Sequence, residues 1–163
     1  MFTFIQRICV FAVAAVGLSA QSTPAAPAQV IRTSGMIGIT EGQFARVNAL
    51  NPGAPAPLLG VVCSASLIFW DAQGAVLKSA TVSVLPGKST FLDLFGAKDL
   101  ALAGDDHREI RATISSPPFP GSPGSGCMLV GTLEVIDAFS GKTQAVIGVG
   151  HPVPSILAAA GNP

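Results

Sequence analysis

Charge is what this chain has least of. Charged residues make up 11% of its 163 positions, less than half of the roughly 25% found in an average soluble domain. Nine Lys and Arg balance nine Asp and Glu. A neutral chain without a basic run excludes the grooves that hold nucleic acid and the patches that anchor a protein electrostatically to a membrane. Histidine occurs twice and cysteine three times, without short ligand spacing, so the four-ligand pattern of a structural zinc site is absent. No Walker loop, His-Glu-x-x-His, helix-loop-helix calcium loop or Asn-x-Ser/Thr sequon occurs. Gly35-Met36-Ile37-Gly38 has too few glycines for a dinucleotide turn, and Gly124-Ser125-Gly126 sits among prolines that forbid the strained turn of a hydrolase serine. The chain therefore reads as non-catalytic, with no catalytic residue, metal or cofactor implied.

The first twenty residues differ from the rest. One cation, Arg7, precedes the apolar run Ile8 to Leu18, and Ser19-Ala20 supplies a small-residue exit. This is the form of a cleaved secretory signal helix, 1–20, cut after Ser19 or Ala20 and too short for a membrane span. Gln21 stands where a lipid-bearing Cys would have to be. Beyond the leader no apolar run approaches the length of a span, because Val146 to Val149 is broken by Gly148 and followed by His151-Pro152. Secreted or periplasmic is the expected location, with no membrane span after cleavage. Cys9 leaves with the leader, and an even pair in an oxidising compartment, Cys63 and Cys127, reads as one disulfide.

A length of 163 fits one domain with a core of its own. Residues 21–29 form a flexible Pro/Ala spacer, 30–150 the folded domain and 151–163 a disordered tail. Glycine and proline number 18 and 13, so turns are frequent. Between them run short stretches of period-two alternation. Ala45, Val47 and Ala49 share one face of Phe44 to Leu50; Val61, Cys63, Ala65, Leu67 and Phe69 share one face of Leu59 to Trp70. Asp71-Ala-Gln-Gly74 turns the chain into Val76 to Val84, and Pro86-Gly-Lys88 turns it again into the Leu92 and Leu94 strand. Gly96 to Asp106 is a linker or a helical turn. Ile110, Ala112 and Ile114 point inward with Arg111 and Thr113 outward, Cys127 to Phe139 is the longest strand, and Thr143 to Val149 closes the sheet. The fold class is all-β: an antiparallel β-sandwich of seven to nine strands.

Two hairpins repeat one form, a Cys, an alternating run, Asp-Ala, Gly and a return strand, at Cys63 with Asp71 to Gly74 and at Cys127 with Asp137 to Gly141. We read this as two solutions to one turn problem, with the Asp carboxylate bonding backbone amides and Gly supplying positive φ. Gly38 to Asn48, Phe69-Trp-Asp-Ala-Gln-Gly74, Leu85 to Ser89, Glu109 to Ala112, and Thr132 to Asp137 with Gly141-Lys-Thr143 resemble a group of uncharacterised secreted bacterial proteins of immunoglobulin-like β-sandwich form. The resemblance spans about 35–148 and implies fold and export, without an activity. It departs at the Pro-rich stretches 52–57 and 117–126, and the chain has no Tyr and no Trp midway between the cysteines.

Candidate sites are few. The loop 117–126, with Phe119, Gly121 and Ser122, is the expected binding loop. Asp105, Asp106, His107, Arg108 and Glu109 are adjacent but alternate in direction, which reads as a solvated approach to a strand. Arg46 and Arg111 fit cross-strand pairs with Asp93, Glu134 or Glu109; gathered with Lys88 on one face, they would instead suit an acidic glycan. Phe44, Trp70, Phe91, Phe95 and Phe119 are the rings to watch for carbohydrate. The preferred function is a secreted non-catalytic module for adhesion, envelope scaffolding or partner binding, with an unidentified protein or glycan partner. A carbohydrate-binding or chaperone-like module, or a hydrolase whose site forms only in three dimensions around His107 or His151, is the alternative. The weakly charged strand Thr143 to Val149 also invites edge-strand association.

Overall fold

The computed structural model describes residues 30–53, 61–118 and 127–152. The leader 1–20, the spacer 21–29, the loop residues Phe119, Gly121 and Ser122, and the tail from 153 onward lie outside the described residues. The elements in order are β1 (Val30–Thr33), β2 (Ile37–Thr40), β3 (Gln43–Asn51), β4 (Cys63–Asp71), β5 (Val76–Val84), β6 (Lys88–Phe95), α1 (Gly96–Leu100), β7 (His107–Ser116), β8 (Val130–Asp137), β9 (Thr143–Val149) and β10 (His151–Pro152). One sheet has the order β10-β1-β7-β4-β5, with β2 also on β7; the other has the order β6-β3-β8-β9. All pairings are antiparallel. The protein is an antiparallel β-sandwich, as the alternation predicts.

β1 and β2 are successive stretches of one lane, set against Thr113 to Ser116 and His107 to Ile110 of β7. The break between them costs no hydrogen bond. Ser34 N–H donates to Ala112 O at 2.9 Å, and the Ser34 hydroxyl accepts from Ala112 N–H at 2.9 Å, so both backbone groups of the facing residue stay paired. Counting this lane once, β3 pairs with β6 and β4 with β7, as the second and fifth and the third and sixth strands of an immunoglobulin sandwich do. The flanks are exchanged: here the first lane lies on β7 and β8 lies on β3.

The core follows the predicted alternation. Ala45, Val47 and Ala49 of β3, Ala65, Leu67 and Phe69 of β4, and Ile110, Ala112 and Ile114 of β7 are buried together with Leu94, Leu133 and Val149. Small residues recur at the sheet centres, so the layers approach closely. At Gly131 of β8 an added methyl would collide with Ile114 Cδ1 of the opposite sheet and lie 3.1 Å from Asn48 O and from Val149 Cβ. Gly96 is equally constrained, because a Cβ there would run into Thr40 O.

Several boundaries, and the burial of one outward residue, add to or differ from the sequence reading. β4 starts at Cys63 rather than Leu59, since Val61 O is held by Asn51 Nδ2 at 3.2 Å. β8 starts at Val130 rather than Cys127, because Leu129 N–H bonds back to Cys127 O at 3.0 Å and keeps 127–129 off the ladder. Thr113 points outward as expected and is nevertheless buried, since Trp70 Nε1 donates to its hydroxyl at 2.8 Å and the indole lies beside it. The folded chain also runs past 150, His151 and Pro152 pairing with Thr33 and Arg32.

Cys63 and Cys127 are joined, with Cα atoms 5.7 Å apart. The bond ties the first residue of β4 in one sheet to the approach to β8 in the other. It closes a span of 64 residues, for which chain entropy gives about 4 kcal/mol. Beside it Asn51, buried, donates to Val84 O at 3.0 Å and accepts from Gly53 N–H at 3.0 Å, while Gly87 N–H donates to Asn51 O at 2.7 Å. One amide thus holds the starts of two connections.

At the other end α1 is a single turn. Ala101 ends it in the left-handed region, φ 53°, where Leu102 N–H reaches Gly96 O at 3.1 Å and the Leu102 side chain turns into the core. Asp99 accepts from Lys78 Nζ at 2.7 Å and from Phe95 N–H at 2.8 Å. Desolvation pushes its carboxyl upward, but these donors together outweigh it and hold the group below its ordinary value.

Two outcomes are expected. Gly131→Ala should destabilise the fold by about 1–3 kcal/mol through overpacking, and Ile114→Val, which removes the colliding methyl, should recover part of that loss in the double variant; urea unfolding of the four proteins reads both. A carboxyl lowered in the folded state adds stability that is present above its unfolded value and lost as pH falls through its folded one. Wild type should therefore lose more stability on acidification below about pH 4 than Asp99→Asn does, measured as the shift in urea midpoint.

Candidate functional site

Which faces stay open follows from register. On the outer face of the β6-β3-β8-β9 sheet, Phe95, Phe44 and Ile136 form one row, Asp93, Arg46, Glu134 and Val146 the next, Phe91, Asn48, Thr132 and Gly148 the third, and Ser89, Leu50 and Val130 the fourth. The polar groups are bonded to one another. Arg46 Nε and Nη2 donate to the two carboxylate oxygens of Asp93 at 2.7 and 2.8 Å. Asn48 Nδ2 donates to Glu134 Oε1 at 2.6 Å and to Thr132 Oγ1 at 3.1 Å. The Asp93 hydrogen bonds raise the Arg46 pKa above its ordinary value against partial desolvation, with the Asp93 and Glu134 charges adding to the effect.

The rings share that order. Phe44 stacks on Phe95 with centroids 5.0 Å apart, and the Arg46 guanidinium lies 4.0 Å from the Phe91 centroid and 5.5 Å from that of Phe44. Next to this network the surface is apolar. Leu50 faces Val130 directly, Phe91 lies diagonally across from Leu50, and the three are 38%, 51% and 54% exposed. Such diagonal neighbours are close enough to form one patch. Met128, just before β8, is exposed as well.

The outer face of the other sheet is different in kind. Ser64, Ser66, Ser79, Thr81, Ser83 and Ser115 occupy its register positions, a field of short hydroxyls. Trp70 lies toward one end with the Arg111 guanidinium 5.5 Å from its ring. Arg46 and Arg111 therefore stand on opposite outer faces, and Lys88 begins β6 beside Asn51. The acidic-glycan face that needed all three cations is not assembled, because Arg111 lies on the other sheet from Arg46 and Lys88. Among the rings to watch, Phe44, Phe91 and Phe95 are brought together, and Trp70 is not with them.

The charged run ends in strand. Asp105 and Asp106 are exposed in the turn before β7, and His107 opens β7 opposite Thr40. His151 pairs with Thr33, toward the other end of the same lane, so the two histidines are not brought together. Among the described residues no group of three His, Cys, Asp and Glu is placed to hold a metal ion.

Both turn aspartates act as expected. Asp71 Oδ1 accepts from Gln73 and Ala75 N–H at 3.0 and 2.7 Å. Asp137 Oδ1 accepts from Ser140 N–H and its hydroxyl at 2.6 and 2.7 Å, and these bonds lower its pKa. Gly74 and Gly141 take φ of 85° and 69°. The second turn lifts Phe139 into full exposure. Sequence reading missed this ring, although its place between Asp137 and Gly141 marks it as a hairpin tip without a neighbour.

Comparison with protein-family models, with curated proteins and with solved structures returned no match.

The Arg46–Asp93 pair is partly exposed, with side chains at 30% and 18%. A double-mutant cycle on Arg46→Ala and Asp93→Ala should give a coupling of no more than about 1 kcal/mol. A larger value from the four unfolding curves would make the pair a main support of the fold.

Proposed function

We propose that this chain is an exported, non-catalytic binding module that takes a protein partner on the outer face of the β6-β3-β8-β9 sheet. Export rests on the leader-like residues 1–20 and is supported by the Cys63–Cys127 disulfide, a bond that persists in oxidising compartments. Among the described residues no helix is long and apolar enough to cross a membrane. The resemblance to secreted sandwich proteins points the same way.

The observation that carries the reading is the Leu50, Phe91 and Val130 patch beside side chains that already satisfy one another. A partner covering this face buries apolar area. It does not strand the Arg46 or Asn48 donors, and it meets side chains whose conformations are already fixed, which lowers the cost of binding. A protein surface fits better than a sugar. Phe44 and Phe95 cover each other and Arg46 covers Phe91, so the free surface is aliphatic groups and one ring edge, whereas a sugar stacks on an open ring face.

A photo-crosslinking residue placed at Phe91, with Ser79 on the opposite outer face as control, tests this in the native host. The expected result is a discrete protein adduct from position 91, absent from position 79 and lost when Leu50→Lys and Val130→Lys are added. No adduct from 91, or the same adducts from both positions, would overturn the reading.

A further inference from the structure

Strand β9 forms one edge of its sheet, and the sandwich treats its other edges differently. β5 carries Lys78, β6 carries Lys88 and Asp93, β1 is covered by β10, and β2 has only four residues. Charges, short strands and cover are the usual protection against edge-to-edge pairing. β9 has none of them: Thr143 to Val149 holds no charged residue and no proline, and among the described residues its one strand neighbour is β8.

We propose that β9 is a homotypic interface, pairing antiparallel with β9 of a second copy of this chain. The strand's own pattern argues for that occupant. An irregularity in register beside Gln144 confines regular pairing to Ala145 to Val149, and the Gln144 side chain is turned back to Gln43 in its own sheet. Directly paired residues must lie on the same face, so a two-fold axis must pass through a residue. Centred on Ile147, all five regular residues find partners. Ile147 meets its own copy and Ala145 meets Val149 on the inner face, and Val146 meets Gly148 on the outer face. Small side chains then oppose larger ones on both faces. Val146 is exposed and Ile147 half-buried at the open edge, so both gain cover. The formal net charge is zero for the full sequence and about −1 once Arg7 leaves with the leader, so like copies hardly repel one another.

Pairing of this kind joins the two four-stranded sheets into one of eight strands with both outer faces on the same side. The two Arg46 positions, on β3 of each copy, would lie about 24 Å apart at the usual strand spacing. The interface stands on β9 alone and does not depend on what the Phe91 patch binds. If that patch does take a partner, the dimer presents it twice, and a repetitive or dimeric partner would gain avidity.

The test uses the exported, disulfide-bonded chain. Sedimentation velocity from micromolar to millimolar concentration should show a reversible monomer–dimer equilibrium, with hydrogen exchange slowing at Ala145 to Val149 as concentration rises. Val146→Lys puts a cation on the edge opposite Glu134, its register partner on β8, so the monomer keeps its fold, which circular dichroism checks. This variant should raise the dissociation constant at least about tenfold. Three outcomes would each overturn the proposal: a wild-type chain that stays monomeric at millimolar concentration, β9 amides protected equally at every concentration, or a folded Val146→Lys that dimerises like wild type.

Discussion

The constraint on which the sandwich depends is that its two layers must be held in register at an end where one tight turn, Leu85 to Lys88, joins them along one margin and the other crossings are long. At the opposite end Asp71 and Asp137 make short turns within their own sheets, and Gly96 seats α1 against Thr40 and Gln43 where the chain crosses from β6 toward β7. At this end the chain also leaves β3 and β7 into Pro-rich connections, which leave the sheets some freedom to slide away from the Leu85 turn. The Cys63–Cys127 bond removes that freedom, and the buried Asn51 amide fixes the neighbouring connections by hydrogen bonds to Val84 O, Val61 O and Gly53 N–H. A covalent tie suits this place, because its contribution grows with the span it closes while a hydrogen bond's does not.

A close approach of the layers follows from the same arrangement. Ala45, Ala49, Ala65, Ala112 and Gly131 leave little depth between the sheets, and the larger Phe69, Leu67 and Ile114 fill what remains. A core of this kind is sensitive to added volume more than to lost volume at its centre. Stability is therefore carried by packing and by the covalent tie. The outer network of Arg46, Asp93, Asn48 and Glu134, partly exposed, adds little to it. What that network does provide is fixed side-chain geometry next to exposed apolar groups, which is why we read the face as a recognition surface.

The two outer faces show how one strand pattern yields unlike surfaces. Outward positions of β4 and β5 are mostly Ser and Thr, and those of β3, β6 and β8 carry rings, charges and amides. Both satisfy the same alternation. Their contrast becomes chemistry only when neighbours are assigned, as with Thr113, which is polar and outward by period yet buried beside Trp70.

Period two is a property of the extended chain itself, so alternation was enough to determine the all-β class, the inward faces of β3, β4 and β7, and the return strands after Asp71 and Asp137. The cysteine pair was legible for a different reason, the even count left once Cys9 is assigned to the expected leader. Strand neighbours were not legible. That β3 lies between β6 and β8, that Arg46 and Arg111 stand on opposite faces, that β9 is an edge and that Leu50, Phe91 and Val130 meet were decided by tertiary structure, because each rests on contacts between residues distant in sequence. Local sequence records the direction a side chain points along its own strand, and only the packed sheets determine what it meets there.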